Sequence, residues 1–360
     1  MNLKHLESER ELEAWDRFLR QSPRGHYAQL SSWLKSFSSY GASRHIIALY
    51  ENDEIVGGIG MLIFGKGMMK LVSLPVGPII QSEFDHYTEQ LIEEGVRFAK
   101  SIGAFLFQMR SPYKEGRTSP FLLNSLSLPR RWEWHEGFPF NVAATPNLLF
   151  LVDLKRHIEE KEEWEDAMLT SFKSNCRRDI RRSIRNGLTL KEAVGERELF
   201  RAYGVIQHNA DTKGYSVRSW EQFGSTLIEQ VRKGEAKVLT VWYDEQLLAV
   251  HYGTIAGRRY SYMMGGTIRT ERDYLAGHFL HWHVIRTARK LGLEAYDFTS
   301  LGSPGVLRFK QGFNPELIEF GPSHYVVLSP IKFRLFQRIV PWLKKNKATV
   351  AKFAHRLTRR

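Results

Sequence analysis

The sequence predicts a mixed α/β (α+β) protein that contains two copies of one module. Segments rich in β-branched residues alternate with segments of helical periodicity along the 360 residues. The same order of elements then occurs twice, which is typical of an internal duplication. With 42% hydrophobic residues, the chain is also long enough to bury the cores of two domains.

The first copy begins with a hairpin. Turn residues at 51–54 separate two β-prone segments, and Gly103 ends the helix that follows them. The predicted elements are strands at 44–50, 55–64 and 69–80, a helix at 84–101 and a strand at 104–109. Pro75 and Pro78 interrupt the third of these strands.

The second copy repeats this order with a similar spacing from the hairpin turn to the end of the helix. Its predicted elements are strands at 236–243, 247–255 and 260–264, a helix at 273–291 and a strand at 293–298. Hairpin, strand, helix and strand form the core of the N-acyltransferase (GNAT) fold. We therefore predict two tandem GNAT-like domains, each a mixed sheet flanked by helices.

The domain boundary is placed near residue 150, after a loop that contains Pro146 and Asn147. The first domain then comprises residues 1–150 plus about 321–340, because a strand-like segment at 321–327 returns to it. The second domain comprises residues 151–320. Its predicted helices lie at 158–186, 196–208 and 220–232, with a loop at 211–218, and residues 331–360 form a basic amphipathic tail.

The composition indicates in which cellular compartment the protein is expected. A single cysteine, Cys176, cannot form an intrachain disulfide, which fits a reducing environment. The polar N-terminus lacks the apolar core of a signal peptide, and the apolar runs are shorter than the roughly 20 residues of a spanning helix. We expect a cytoplasmic protein, with peripheral contact to an anionic membrane surface left open.

The net charge of +13 is concentrated in two places. Residues 331–360 contain ten Lys/Arg and no Asp/Glu, and residues 171–187 contain six Lys/Arg and one acid. On a helix, Lys173, Arg177, Arg181 and Arg185 would form one cationic stripe, whose mutual repulsion a bound polyanion would relieve. These four residues are therefore candidates for binding phosphate or an RNA backbone.

The segment after residue 298 carries the candidate for catalysis. A loop with two glycines and a proline is predicted to deliver Lys310 between Phe309 and Phe313. A lysine held between aromatic rings can direct its ammonium at a carbonyl oxygen that gains charge, or at a phosphate.

Metal and cofactor sites find little support. His281 and His283 are two residues apart, so on a helix they face different directions, and we interpret both as packing or surface residues. Coenzyme A is disfavoured because residues 272–278 lack the glycines with which GNAT proteins bind its pyrophosphate. We expect no metal and no cofactor.

Four segments together resemble the Fem aminoacyltransferases (FemX/FemABX). They are Tyr27-Ala-Gln-Leu-Ser-Ser-Trp33, Leu74-Pro-Val-Gly-Pro78, the basic helix at 173–187, and Tyr296-Asp-Phe298 leading to Phe309-Lys-x-Gly-Phe313. The resemblance covers nearly the whole chain and implies two tandem acyltransferase-like domains. It also implies transfer of an amino acid from aminoacyl-tRNA to the stem peptide of a peptidoglycan precursor. No heptad run is present, so the chain is similar to the compact, FemX-like type without a coiled-coil arm.

The resemblance also implies site residues. Lys35 and Arg218 would hold the diphosphate of the precursor, and Tyr262 is assigned to substrate binding as well. Phe309 and Lys310 would serve the aminoacyl-tRNA end and the transition state. Arg110 stands where some of these proteins place an acidic residue, so the resemblance leaves open how the first domain positions its ligand and whether it has an acidic base there.

Several alternatives remain at this point. The transferred amino acid is Gly, Ala or Ser, and the acceptor is either lipid II or UDP-MurNAc-pentapeptide. A CoA-dependent GNAT N-acyltransferase of a small amine is the second hypothesis, and a non-catalytic tRNA-binding protein is the third.

Overall fold

The computed structural model describes residues 1–155, 164–299 and 302–345, which form two mixed sheets flanked by helices. The strands of these residues are β1 (Asn2–Leu6), β2 (Ser43–Glu51), β3 (Glu54–Phe64), β4 (Lys70–Leu74), β5 (Ile79–Ile80), β6 (Ala104–Met109), β7 (Trp134–Glu136), β8 (Leu148–Asp153), β9 (Thr189–Ala193), β10 (Ala236–Tyr243), β11 (Gln246–Ala256), β12 (Arg259–Thr267), β13 (Ala295–Asp297), β14 (Glu316–Glu319) and β15 (His324–Val327). The α-helices are α1 (Glu9–Gln21), α2 (Ser31–Lys35), α3 (Thr88–Ser101), α4 (Trp164–Ser171), α5 (Ser174–Ile184), α6 (Glu196–Lys213), α7 (Trp220–Arg232), α8 (Ala276–Lys290), α9 (Pro304–Gly312) and α10 (Pro330–Lys345).

The first sheet has the strand order β1-β2-β3-β4-β6-β15-β7, with β5 paired to β3. β4 and β6 are parallel because α3 crosses over between them, and the other pairs are antiparallel. α3 buries Leu91, Ile92 and Val96 against this sheet. Gly95 allows the close approach, since a Cβ there would lie 2.8 Å from Cδ1 of Ile59.

The second sheet repeats this arrangement in the order β9-β10-β11-β12-β13-β8-β14. β12 and β13 are its parallel pair, and α8 is the crossover between them. The helix pair α6 and α7 precedes β10, as α1 and α2 precede β2. The predicted fold class, two GNAT-like mixed sheets flanked by helices, is confirmed.

The two sheets exchange strands. The sixth strand of the first sheet is β15, which follows the whole second module in the chain, and β8, which precedes that module, is the sixth strand of the second sheet. The predicted boundary near residue 150 lies inside β8. The chain therefore crosses between the sheets twice, which fixes each sheet to the other.

Two predicted elements differ from the structure. Within the described residues, the helix predicted at 158–186 is interrupted after Ser171, because the N–H of Lys173 bonds the carbonyl of Gly312 at 2.9 Å and α5 starts anew. The predicted loop at 211–218 is also shorter, since α6 continues to Lys213 and ends at Gly214 with φ +70°. Residues 214–219 join α6 to α7, and no helical arm is inserted between these two helices.

Buried polar contacts join the two modules. Arg259 on β12 donates to the carbonyls of Pro23 at 2.8 Å and Gly25 at 2.7 Å, in the segment after α1. Ser32 on α2 donates to the carboxylate of Glu235 at 2.6 Å. Burial raises the pKa of Glu235 to about 7. The relative position of the modules is therefore set by specific hydrogen bonds as well as by the exchanged strands.

The last described helix, α10, packs against the first sheet. None of the helices in the described residues is both long and apolar enough to span a membrane.

Candidate active site

Lys310 lies in the last turn of α9, so the loop predicted around it is wrong. Pro304 occupies the first turn of this helix, where its fixed φ and missing N–H are tolerated, and Ser303 precedes it in an extended conformation. The proline that suggested a loop therefore begins a helix.

The ammonium of Lys310 is buried, with 3% of the residue exposed. Its Nζ donates to the carbonyl oxygen of Phe298 at 2.9 Å. The same nitrogen lies 5.8 Å from the ring centre of Tyr262 and 5.9 Å from that of Phe298. The aromatic rings beside the cation are thus Tyr262 and Phe298, and not Phe309 and Phe313 as predicted, because consecutive side chains of a helix point in different directions.

Phe309 lies on the side of α9 that faces α8. Its ring centre is 4.9 Å from that of His278, 5.2 Å from that of His281 and 5.3 Å from that of Phe313. Phe309 and Lys310 therefore have different surroundings: Phe309 packs over α8, and Lys310 reaches the end of β13.

A buried carboxylate lies near this cation. Burial lowers the pKa of Lys310 to about 8, and the negative charge of Asp297 opposes that shift. Asp297 accepts from the N–H groups of Phe150 at 3.0 Å and Thr299 at 2.9 Å. Burial raises the pKa of Asp297, while these N–H groups and the charge of Arg259 lower it. The site thus holds a cation whose charge depends on pH near neutrality.

Two histidines flank the Tyr296 hydroxyl, an arrangement that the sequence interpretation missed. Nδ1 of His281 lies 2.7 Å from this oxygen, and Nε2 of His251 lies 3.1 Å from it. Burial lowers the pKa of His281, and the nearby charge of Lys310 lowers it further. The spacing of three places His278 and His281 on one face of α8, but no signal in the sequence indicates that His281 meets Tyr296 and His251.

Lys35 and Arg218 both form contacts between the α2 region and the α7 region. Arg218 donates to the carbonyl of Ser36 at 3.1 Å and to its hydroxyl at 2.8 Å, and Ser36 directly follows Lys35. The guanidinium carbon of Arg218 lies 4.1 Å from the ring centre of Phe223. The Lys35 side chain is 57% exposed, and its Nζ lies 3.3 Å from the carboxylate of Glu229. The structure therefore places both residues, which are far apart in the sequence, at the contact between α2 and α7, with Arg218 bonded to the residue after Lys35.

Tyr262 belongs to the surroundings of Lys310 and not to the Lys35–Arg218 surface. The segment between α6 and α7 connects these two places, because it carries both Arg218 and Tyr215. Asn209 donates to the Tyr215 hydroxyl at 2.9 Å and to the carbonyl of Gly265 at 3.3 Å, on the strand that carries Tyr262. Burial raises the pKa of Tyr262 and Tyr215 adds to that rise, so the Tyr262 hydroxyl stays neutral.

The predicted cationic stripe lies along α5 and extends one residue beyond each end. Lys173 is the N-cap of α5 and Arg185 its C-cap. Lys173, Arg181 and Arg185 are exposed, and Arg177 is half-buried with its guanidinium donating to the carbonyl of Thr170 at 3.2 Å. The four cations are therefore available to a large polyanion on one surface of the second module.

α5 packs directly against the helix that carries Lys310. A Cβ at Gly312 would lie 3.0 Å from Cβ of Cys176, so the two helices approach closely at this glycine. Burial raises the pKa of the Cys176 thiol to about 12, which keeps it protonated and unreactive. The stripe and the buried ammonium are thus on neighbouring helices.

Two further features lie outside this constellation. A cavity of about 950 Å³ lies beside the C-terminal end of α1 and is lined by Arg17, Arg24 and Arg258, but by none of the predicted site residues. In the described part of the chain, no group of three or more His, Cys, Asp or Glu side chains is arranged to hold a metal ion.

Comparison with known proteins identifies similar chains. Residues 172–311 match the family described as Acetyltransferase (GNAT) domain. The lipid II:glycine glycyltransferase of Staphylococcus haemolyticus is 23% identical, over 94% of this chain and 96% of that protein. The protein of the same name from Staphylococcus aureus is 20% identical over the same shares.

A crystal structure of FemX superimposes with a TM-score of 0.77 at 16% identity, covering 93% of this chain and 99% of that one. The C-terminal domain of a putative lysylphosphatidylglycerol synthetase from Agrobacterium fabrum gives a TM-score of 0.51 at 13% identity. The predicted resemblance to the Fem aminoacyltransferases is thereby confirmed: the chain has the fold of FemX and is similar along nearly its whole length to lipid II:glycine glycyltransferases.

Proposed function

We propose that this protein is an acyltransferase that moves an amino acid from aminoacyl-tRNA to the stem-peptide amine of a peptidoglycan precursor. Glycine is the first candidate for the transferred residue because the relatives similar over 94% of the chain are named as glycyltransferases. Alanine and serine stay open, as do lipid II and UDP-MurNAc-pentapeptide as acceptors. The product would serve the interpeptide bridge of the cell wall.

The observation that carries this proposal is the position of Lys310. Its ammonium is buried between the Tyr262 and Phe298 rings and anchored on a carbonyl oxygen. Confining an ammonium in this way reduces its solvation, so it interacts more strongly with a developing negative charge than it would in water. A surface lysine would have neither the reduced solvation nor the fixed position of this ammonium.

The chemistry of the reaction fits these residues. The acceptor amine attacks the ester carbonyl carbon of the aminoacyl-tRNA, and the carbonyl oxygen becomes an oxyanion that the Lys310 ammonium stabilises. The intermediate then collapses: the ester C–O bond breaks, the tRNA hydroxyl leaves with the proton that the amine loses, and an amide remains. Because the ester is already activated, proximity and charge stabilisation suffice, and no enzyme nucleophile is required.

The acceptor would bind across the surface between α2 and α7. Lys35 and the partly buried Arg218 present two positive charges there, which suits a diphosphate. The stem peptide would then extend past the residues 214–219 towards Tyr262 and Lys310. Phe309 would pack against the aminoacyl-tRNA end over α8.

Lys35→Gln is expected to raise the dissociation constant for the precursor about ten- to a hundredfold, since a charge-assisted hydrogen bond contributes about 1.5–3 kcal/mol. Titration calorimetry would measure this, and kcat at saturating precursor should change little. Arg218→Ala should also weaken binding, but it removes contacts with Ser36 and Phe223, so its stability must be compared as well.

The matched control for Lys35 is Glu229→Gln, which removes the partner of Lys35 and leaves the cation in place. This control should bind the precursor at least as tightly as the unmodified protein. An unchanged dissociation constant in both Lys35→Gln and Arg218→Ala would contradict the diphosphate role.

The donor would approach along α5. Four cations at Lys173, Arg177, Arg181 and Arg185 can neutralise phosphates of the tRNA acceptor arm. The packing of α5 on α9 would then bring the aminoacyl ester towards Lys310.

The kind of acceptor is related to where in the cell the protein would act. We infer a cytoplasmic enzyme in peripheral contact with the anionic inner leaflet, where a lipid-linked acceptor would be presented, and the basic segment at 331–360 supports this contact.

The deciding experiment is incubation of the protein with tRNAs charged with Gly, Ala or Ser and with each precursor. We expect the mass of one precursor to increase by one aminoacyl residue, dependent on charged tRNA. Binding of every tRNA, charged or not, without a product would favour the non-catalytic hypothesis. Binding of acetyl-CoA, measured by calorimetry, together with acetyl transfer to a small amine, would favour the CoA-dependent hypothesis.

A further inference from the structure

α10 has an inner face that fixes its orientation on the first sheet. The ring centre of Phe336 lies 5.2 Å from that of Phe105, and the ring centre of Phe333 lies 5.8 Å from that of Tyr325. Phe333 is 9% exposed and belongs to the core. Because these aromatic contacts bind one side of the helix to the first sheet, the opposite side faces the solvent.

The outer face carries a line of large aliphatic side chains. Ile331, Leu335 and Ile339 are 81%, 48% and 38% exposed. They are spaced by four residues, so they occupy successive turns within about 80° of the helix circumference. Single exposed hydrophobic residues are ordinary, but three in line on one helix form a continuous apolar stripe that calls for an explanation.

Cations lie on both sides of this stripe. At about 100° per residue, Arg334 and Arg338 lie along one edge and Lys332 along the other. Within the described ranges, no carboxylate forms an ion pair with any of the three. The chain continues in the same way, since residues 331–360 contain ten Lys/Arg and no Asp/Glu.

We propose that the outer face of α10 docks the protein on an anionic phospholipid surface, with the helix lying in the plane of the interface. Ile331, Leu335 and Ile339 would enter the boundary between headgroups and acyl chains, and the flanking cations would contact lipid phosphates. The choice of membrane rests on the proposed function, because a lipid-linked acceptor would be presented at the inner leaflet; the docking itself requires no substrate.

A lipid surface fits the outer face of α10 better than RNA or a second copy of the helix would. RNA would satisfy Lys332, Arg334 and Arg338 but leave the aliphatic stripe in water. A second copy of α10 would bury the stripe but bring like charges together along both edges. An anionic bilayer satisfies the apolar and the cationic parts at the same time.

The test is co-sedimentation of the full-length protein with vesicles of phosphatidylcholine, with and without phosphatidylglycerol. We expect binding to the anionic vesicles that weakens as salt is raised. Ile331→Ser/Leu335→Ser/Ile339→Ser should reduce this binding about tenfold or more. Lys332→Gln/Arg334→Gln/Arg338→Gln should reduce it by a similar factor and weaken the preference for phosphatidylglycerol.

The matched control removes the same number of exposed aliphatic side chains elsewhere. Met68→Ser/Val194→Ser/Leu291→Ser alters residues that are 78%, 63% and 43% exposed, none of them on α5 or α10. This variant should bind vesicles like the unmodified protein. Circular dichroism melting of all variants checks that each remains folded, which we expect since none of the altered side chains is in the core.

Three outcomes would overturn the docking proposal. These are equal vesicle binding by the α10 variants and the control, binding of tRNA but of no vesicle, and a dimer that dissociates in the Ile331/Leu335/Ile339 variant. Transfer to the soluble nucleotide-linked precursor should be equal in all variants. If the unmodified protein binds anionic vesicles but transfers no amino acid to any precursor, the proposed function fails and the docking surface stands.

Discussion

Lys310→Met is expected to lower kcat for aminoacyl transfer about 10²–10³-fold, the usual effect of removing one donor to an oxyanion. The reason is the confined ammonium beside Tyr262 and Phe298, for which methionine offers similar length and no charge. The variant should fold because the nearby carboxylate of Asp297 keeps its two N–H donors and the charge of Arg259. Steady-state kinetics with charged tRNA and precursor would measure kcat, and calorimetry the precursor affinity, which should stay nearly unchanged.

The pH profile gives a second measurement on the same residue. Burial lowers the pKa of Lys310 to about 8, so the ammonium is present below that pH and lost above it. The kcat of the unmodified protein should therefore fall as the pH rises through about 8, and this descending limb should be absent from Lys310→Met. Turnover of Lys310→Met at the unmodified rate would refute the catalytic role.

Arg24→Leu is expected to lower the free energy of unfolding by about 3–5 kcal/mol, the usual cost of leaving one partner of a buried ion pair alone. The Arg24 and Asp85 side chains are only 5% and 9% exposed, and they form a two-pronged pair whose second contact measures 3.1 Å. Urea unfolding followed by tryptophan fluorescence would measure the change. Since Arg259 bonds the carbonyls on either side of Arg24, the loss should also loosen the contact between the modules.

The control for Arg24 is an exposed ion pair. Arg97 lies 2.7 Å from Glu93 and is 53% exposed, so Arg97→Leu should cost less than about 1 kcal/mol. Arg24→Leu/Asp85→Leu should recover part of the loss, because it no longer buries an unpaired carboxylate. Equal effects of Arg24→Leu and Arg97→Leu would show that the buried pair contributes little.

The duplicated module could be predicted from the sequence because its signals are local. The turns at residues 51–54 and 244–246, and Gly103 and Gly292 after the helices, mark the same order of elements in both halves. The structure has strands β2 and β3, and β10 and β11, at these places. The helix of Lys310 was missed because Pro304 and Gly305 signal a loop and a helix start equally well.

The candidate site could be predicted only in part. Lys310 was found by its setting between two phenylalanines, yet the rings that surround its ammonium come from Tyr262 on β12 and from Phe298. His251, His281 and Tyr296 meet from two strands and a helix. The contact between these three residues cannot be predicted from their spacing in the sequence, because hydrogen bonds between distant segments depend on how sheets and helices pack.

Alternation, turn residues and charge runs are properties of neighbouring residues, and they were enough to predict two acyltransferase-like modules and the basic segments and to single out Lys310 as a candidate. The exchange of β8 and β15 between the sheets, the contact of Arg218 with Ser36 and the burial of the Lys310 ammonium all depend on contacts between residues far apart in the chain. Such contacts arise only when the chain folds and apolar surfaces are brought together, since burial and pKa shifts are set by the three-dimensional environment of a group and not by its neighbours in sequence.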